Sequence, residues 1–232
     1  MKKYLVTGGA GFIGSNIVKE LLSQGFFVRA VDNLSTGKKE NIAEFLDNPN
    51  FEFIEADLTS LDNCKKAVSG VNFVLHEAAV PSVPRSIENP IASNNSNIDA
   101  TLNMLVAARD EKVEKFVFAS SSSIYGDNPD LPKQEDFPPR PISPYALTKY
   151  AGERYCQIFW KIYGLPTVCL RYFNVFGPKQ NPDSQYSAVI PKFIKLFLKG
   201  ERPVILGDGN QSRDFTFVDN VVLANILAAN AK

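Results

Sequence analysis

The first turn of this chain constrains its fold more than any other segment. Lys3-Tyr4-Leu5-Val6-Thr7 is a short β-prone apolar run, and it passes directly into Gly8-Gly9-Ala10-Gly11-Phe12-Ile13-Gly14. An amphipathic helix then spans about 12 to 24, with Ile13, Ile17, Val18, Leu21 and Leu22 on its apolar face and Gly25 as its stop. Gly9, Gly11 and Gly14 fit the spacing G-x-G-x-x-G. Glycines there permit a tight turn, let backbone N–H groups approach a pyrophosphate, and allow the helix to pack closely on the strand. A second apolar strand, Phe26 to Val31, ends in Asp32, roughly twenty residues on, where a carboxylate receives adenine ribose hydroxyls. Such a carboxylate repels a 2'-phosphate. Arg29 is nearby, but no basic residue immediately follows Asp32, so NAD is favoured over NADP.

The same rhythm continues. Strands are expected at about 3–7, 27–32, 51–55, 73–76, 115–119 and 167–171, alternating with helices at 12–24, 61–69, 91–110 and 144–163. That alternation implies an α/β fold with a parallel sheet and right-handed crossovers. Asp57 and Leu58 follow the third strand, and Ala78 and Ala79 follow the fourth, at the carboxyl ends where an open parallel sheet binds its ligand. Asp127 to Pro141 is rich in proline and acid without apolar periodicity and reads as an ordered surface loop. After Arg171 the rhythm changes. An apolar helix from Val189 to Lys199, short strands near Val204–Leu206 and Phe215–Phe217, and a last helix from Val218 to Asn230 indicate the start of a second lobe. The division expected is 1–175 for the dinucleotide domain and 176–232 for a partial substrate lobe.

Charge and cysteine usage exclude several classes. Lys plus Arg and Asp plus Glu are 25 each, so no strong field points to nucleic acid or to an anionic membrane. The 3 cysteines have neither C-x-x-C nor histidine-paired spacing, which disfavours a disulfide framework or a metal site. The first strand follows Met1 directly and no apolar stretch is long enough to cross a bilayer. A cytoplasmic protein is therefore expected, with no nucleic acid, membrane or metal among its partners.

The chemistry sits in two motifs. Ser120-Ser121-Ser122-Ser123 ends the fifth strand, and Tyr145 and Lys149 stand at i and i+4 on the following long helix. An ammonium one turn from a phenol favours the phenolate, which makes Tyr145 a candidate general base. Reaching phenolate at neutral pH takes roughly 3 units, or about 4 kcal/mol, from positive charge, which one lysine and an oxidised nicotinamide can supply. His76, the one histidine, ends an apolar strand and reads as a satisfied core residue.

Together Thr7–Gly14, His76-Glu-Ala-Ala79, Ser82–Ser86, Ser120–Gly126, Tyr145-Ala-Leu-Thr-Lys149, Arg171–Gly177 and Gly207–Phe215 resemble an extended short-chain dehydrogenase/reductase, of the UDP-hexose 4-epimerase type that accepts UDP-N-acetylglucosamine. The resemblance covers essentially the whole chain. It implies a Rossmann-type doubly wound sheet and NAD-dependent interconversion of UDP-glucose and UDP-galactose, or of their N-acetylated counterparts, through a 4-keto sugar. It implies that Ser121 bonds the sugar O4, Tyr145 removes its proton and Lys149 holds the nicotinamide ribose. Gly8, Gly11, Phe12, Ile13, Asp32, Asn33, Ser35, Gly37, Asp57, Leu58, Ala78, Ala79 and Phe173 would complete the NAD site, Phe173 being equally readable as a core aromatic. Asn174 and Arg213 would meet the diphosphate, and Val189 and Lys192 the uracil; Asn174 also reads as a turn residue and Arg213 as a surface arginine. Ser82, Ser122 and Ser123 match positions lining the pocket in relatives with N-acetylated substrates. Arg85 reads as a structural ion-pair residue or as a diphosphate contact.

Rival readings share this machinery. A 4,6-dehydratase carries an Asp-Glu pair, and a UDP-glucuronate decarboxylase a glutamate, just before the Tyr-Gly step, where this chain has Ser122-Ser123-Ile124. Elimination would lack its proton donor there. A UDP-glucuronate 4-epimerase needs a cation for the substrate carboxylate, and a non-catalytic NAD sensor has no need of Ser121, Tyr145 and Lys149. The resemblance further implies a homodimer through helices 91–110 and 144–163. Met104, Leu105 and Ala108 on one helix, with Ala151, Tyr155 and Phe159 on the other, either form that face or pack on the sheet. Relatives continue tens of residues past the position of Lys232, through the rest of the substrate lobe and a residue that gates sugar size. The expectation is an intact cofactor site and an incomplete sugar site.

Overall fold

A strand that is apolar on both sides must be covered on both sides, and the opening strand is of this kind: Tyr4, Leu5 and Val6 are all fully buried. The computed structural model describes residues 2–182, 188–205 and 207–231. At its centre are six parallel strands, β1 (Lys3–Thr7), β2 (Phe27–Asp32), β3 (Phe51–Glu55), β4 (Phe73–His76), β5 (Lys115–Ser121) and β6 (Thr167–Tyr172). Their order is β3-β2-β1-β4-β5-β6, so direction of winding reverses between β1 and β4. The fold is the Rossmann-type doubly wound sheet, and ligands in it sit at that reversal, beyond the carboxyl ends of the strands.

Successive side chains of β1 point to opposite faces and enter two different cores. Leu5 packs with Met104, Leu105, Ala108 and Phe159, under α2 (Leu61–Val68), α5 (Ala100–Glu111) and α6 (Pro144–Tyr163). Tyr4 and Val6 pack with Ile17, Leu21, Val218 and Val222, under α1 (Phe12–Ser23) and α8 (Val218–Asn230). Of the two placements open for Met104, Leu105, Ala108 and Phe159, the structure takes the sheet-facing one. The large apolar side chains that α6 leaves to solvent are instead Leu147, Ile158, Trp160, Ile162 and Tyr163.

Three segments differ from the sequence expectation. The helix anticipated over 91–110 is a continuous run of α4 (Pro90–Asn94), a five-residue π turn (Asn95–Asp99) and α5. Asn97 lies in that turn, where its side chain bonds both N–H and C=O of Val80 and the Thr148 hydroxyl, while Thr101 Oγ1 donates to Asn97 O at 2.6 Å. These bonds compete with the i−4 ladder and widen it. A short helix, α3 (Val83–Glu88), follows Ser82, whose hydroxyl accepts from Arg85 N at a φ of 101°. Val204 and Ile205, expected in a strand, are exposed and outside any strand, since no strand lies beside them among the described residues; Leu206 lies outside the described residues. The loop 127–141 is free of helix and strand, and Arg140 N donates to Ile124 O at 2.8 Å to close it.

Beyond β6, β7 (Asn174–Phe176) pairs in parallel with β8 (Phe215–Phe217), with α7 (Val189–Leu198) between them in sequence. The chain then returns, because α8 packs on α1 and on the main sheet. Among the described residues, no helix is long and apolar enough to cross a membrane.

Candidate active site

The carboxyl ends of β1, β2, β4, β5 and β6 open on one cavity of about 870 Å³, the size range of a ligand site. Its floor is the glycine turn. Gly8 has φ +64°, and a Cβ there would lie 2.9 Å from Ala78 N. A Cβ on Gly14 would lie 2.2 Å from the Gly8 carbonyl oxygen, so helix and strand approach only because both residues are glycine. The N-terminus of α1 has no side-chain cap, and Gly11, Phe12 and Ile13 present it to the cavity. Uncapped N–H groups and the helix dipole favour an anion at that position.

Asp32 ties the next wall together. Its Oδ2 accepts from Ala10 N at 3.1 Å and its Oδ1 from Leu34 N at 2.8 Å. Burial pushes its carboxyl up against the pull of these two bonds. Two of about four acceptor positions are used, which leaves capacity for a diol. Gly37 folds over this carboxylate, where a Cβ would meet both oxygens at 2.8 Å. Arg29 is committed elsewhere, to Glu52 at 2.8 Å and to the carbonyls of Ala67 and Ser69. Asp57 bonds Thr59 and Asn33, and the Thr59 bonds hold its carboxyl below the usual range. A glycine cradle that any Cβ would fill, an uncapped helix N-terminus and a half-free carboxylate whose neighbour Arg29 is engaged elsewhere fit NAD.

At the other end stand the polar groups of β5 and α6. Ser143 caps α6 by accepting from Ala146 N at 3.1 Å, and Pro144 starts the helix. This places Tyr145 and Lys149 on the face turned toward β5. Lys149 is 4% exposed; its ammonium donates to Ala119 O at 2.8 Å and lies 6.0 Å from the centre of the Tyr145 ring. Burial pulls Lys149 down to about 8, opposed by the charge of Glu77. Burial also pushes the Tyr145 phenol up, its bond with Ser121 pulls it down, and Glu77 pushes it up again. Burial, more than any charge, thus leaves the phenol above its ordinary value, contrary to what the lysine spacing alone suggests.

Every residue expected at the cofactor lines this cavity, as do Ser82, Ser121, Tyr145 and Lys149. Phe173 is both wall and packing partner, 6.4 Å from the Tyr125 ring. Ser122 and Ser123 lie just outside the wall, in the 3₁₀ turn that follows β5; Ser123 N donates to Ser121 Oγ at 3.1 Å, and Ser123 Oγ is buried without a partner. Asn174, Val189 and Arg213 line a second hollow of about 250 Å³, and Lys192 stands exposed on α7. Asn174 also ties β7 to the Asp214 carbonyl, through its backbone N–H and its side chain. Arg85 faces the main cavity from α3.

His76 is a satisfied core residue. Thr101 gives its own proton to Asn97 O, so His76 Nε2 donates to Thr101 Oγ1 at 3.0 Å, and Nδ1 accepts from Thr7 Oγ1 at 2.8 Å. Burial pulls this imidazole down to about 3.

Comparison with known proteins agrees with this geometry along nearly the whole chain. The model of the NAD dependent epimerase/dehydratase family matches residues 4–232. The chain belongs to that family. NAD is the cofactor its description states. A solved UDP-N-acetylglucosamine 4-epimerase from Methanobrevibacter ruminantium, in complex with UDP-N-acetylmuramic acid, is 46% identical to this family member with a TM-score of 0.94, over 100% of this chain and 74% of that one. A Thermus thermophilus UDP-glucose 4-epimerase in complex with NAD is 40% identical with a TM-score of 0.90, over 99% and 75%. The UDP-glucose 4-epimerase of Mycolicibacterium smegmatis is 39% identical over 226 residues, 97% of this chain and 72% of that one.

Among the cavity residues that escaped the sequence reading are Glu77 and Tyr172, joined by a hydrogen bond of 2.8 Å. Glu77 stands inside the His76–Ala79 motif that gave Ala78 and Ala79 and lines the same cavity as they do. Tyr172 sits opposite Ser121 in the β5–β6 register, which only the pairing reveals.

Proposed function

We propose that this protein is a UDP-sugar 4-epimerase, an isomerase acting on carbohydrates, and that its substrates are UDP-N-acetylglucosamine and UDP-N-acetylgalactosamine or UDP-glucose and UDP-galactose. The observation that carries the reading is the meeting of Ser121, Tyr145 and Lys149 at one end of a cavity whose other end fits a dinucleotide. Bound NAD supplies reversible oxidation at the sugar C4 and leaves each turnover unchanged. Ser121 orients the O4 hydroxyl and Tyr145 takes its proton and later returns it. Lys149 holds the nicotinamide ribose and stabilises the phenolate, and the positive nicotinamide ring adds the charge that the lysine alone does not supply. The residues proposed for NAD are Gly8, Gly11, Phe12, Ile13, Asp32, Asn33, Ser35, Gly37, Asp57, Leu58, Ala78, Ala79 and Phe173.

The nucleotide end of the substrate is assigned to the second hollow, with Asn174 and Arg213 at the diphosphate and Val189 and Lys192 at the uracil. A guanidinium fork matches phosphate geometry, which supports Arg213. Ser82 supports an N-acetylated sugar, since a small hydroxylated side chain leaves volume and a hydrogen bond for an acetamido group; Ser122 and Ser123 are proposed to back the same pocket. The dinucleotide domain runs to residue 175 and the substrate lobe begins at 176, with α8 returning to the first. A homodimer is proposed through the α4–α5 run and α6.

The absence of a carboxylate at 122–124 favours epimerisation over dehydration or decarboxylation within the same family. Tyr145→Phe tests the assignment. It is expected to lower kcat by about 10²- to 10⁴-fold while NAD affinity, followed by the quenching of protein fluorescence, changes little. A variant that keeps its rate removes Tyr145 from the reaction.

A further inference from the structure

The roles assigned so far leave one acid of the cavity wall without a task. Glu77 follows β4, and its carboxylate accepts from the Tyr172 hydroxyl at 2.8 Å. That hydroxyl accepts in turn from Asn225 Nδ2 at 2.5 Å, and the same amide donates to Val221 O at 2.9 Å. Residues from β4, β6 and α8 therefore build a directed chain of hydrogen bonds that ends on a carboxylate. Glu77, Tyr172, Tyr145 and Lys149 line one cavity, and the partial exposure of Glu77 is toward it. The groups that act on Glu77 are Tyr172 from β6 and Lys149 from α6, and Glu77 acts on Tyr145 as well. Arg85 of α3, Asp32 and Asp57 belong to other walls of the same cavity.

Lys149 needs a counter-charge, and the β4–β5 register, with His76 opposite Phe118, carries Glu77 alongside Ala119, whose carbonyl takes the Lys149 ammonium. That ammonium is buried, and the partner within hydrogen-bond distance is the neutral Ala119 carbonyl. A buried ammonium with only neutral partners gives up its proton readily.

We propose that Glu77 is a positioning residue for the catalytic pair: held in place by Tyr172, its carboxylate is the counter-charge that keeps the Lys149 ammonium charged beside Tyr145. The proposal rests on the reading of Tyr145 and Lys149 as that pair. Glu77 opposes the burial that pulls Lys149 down to about 8. Lys149 and Tyr172 in return oppose the burial that pushes Glu77 up to about 7. The two groups titrate close together near neutral pH and so behave as a coupled pair. Glu77 also repels the Tyr145 phenolate directly. Removing its charge makes phenol and ammonium alike give up their protons at lower pH, so the whole pH profile moves to lower pH.

Heteronuclear NMR on lysine-labelled protein reads the ammonium directly, with the Lys149 resonance assigned by its loss in Lys149→Met. The wild-type midpoint is expected near pH 8. Glu77→Gln keeps an acceptor for Tyr172, and it is expected to lower the midpoint by about 1 unit or more. Tyr172→Phe removes a bond that favours the Glu77 anion, so it is expected to move Lys149 in the same direction, and it serves if Glu77→Gln does not fold. A Lys149 midpoint that stays in place in the folded variants overturns the proposal. The pH profile of kcat/KM is read separately. If the natural protein lacks epimerase activity while the midpoint still moves, the counter-charge stands and the epimerase reading falls. If the rate drops evenly at every pH with the midpoint unmoved, Glu77 is a packing residue.

Discussion

At Gly14 distance decides, whereas at Gly8 both distance and backbone angle do. The sequence marks the two positions alike, yet only Gly8 has a left-handed φ. A different kind of information attaches to His76. Its fold-buried imidazole takes no proton until about pH 3, whereas the unfolded chain binds one below pH ~6.5. Between these values the unfolded state holds the extra proton, so stability falls as pH is lowered through that window, by up to about 1.4 kcal/mol per pH unit from this group. His76→Gln is therefore expected to flatten the pH dependence of the urea unfolding free energy between about pH 4 and 6. A slope equal to that of the wild type would mean that the imidazole titrates normally in the folded protein. Because the chain has 1 histidine, its ring signal reports the same property without assignment.

At the scale of elements, one buried network joins β5, β6, α6 and the proline-rich loop. Arg171 grips Glu153 with two bonds, at 2.9 and 3.0 Å, and also reaches the Tyr125 hydroxyl and the Glu135 carbonyl. Ser120 Oγ donates to the same Glu153 at 2.6 Å, so the strand carrying Ser121 and the helix carrying Tyr145 share one anchor. Arg171→Met leaves a carboxylate that is 3% exposed without its counter-ion, and chemical denaturation is expected to show a loss of about 3–5 kcal/mol. The double replacement of Arg171 and Glu153 by apolar residues of similar volume should recover much of it. A single variant within about 1 kcal/mol of wild type would contradict this account of the anchor. The sequence reading found these elements, because β1, β2, β4 and β5 are apolar runs, α1 has a glycine stop and α6 has both a strong start and a strong stop. It missed what depends on partners. The π turn at Asn95–Asp99 is set by Val80 and Thr148, both distant in sequence. The Val204–Ile205 segment has a strand's composition and, among the described residues, no strand to pair with. Glu77 and Tyr172 were hidden for the same reason: their meeting is a property of the sheet, and each alone looks like an ordinary strand-end residue.

For the whole molecule, α8 is the clearest departure from a reading made along the chain. Numbered with the substrate lobe, it closes the core around Tyr4, Ile17 and Val222, and it supplies Asn225 to the hydrogen-bond chain at the cavity. The proposed homodimer likewise changes its face. Met104, Leu105 and Ala108 are buried within one subunit, so the apolar groups that α6 leaves exposed, Leu147 and Ile158 among them, are those proposed for a second copy. Light scattering is expected to give twice the mass of one chain, with Ile158→Asp shifting the protein toward the single mass; a monomer at micromolar concentration contradicts that assembly. The central claim is the reaction itself. A proton NMR time course of UDP-N-acetylglucosamine, and separately of UDP-glucose, with NAD and the natural protein that carries this sequence tests it most directly. The account predicts the anomeric signal of the galacto epimer, rising to equilibrium without net consumption of NAD. A 4-keto-6-deoxy or pentose product, or an unchanged spectrum with NAD bound, would contradict it.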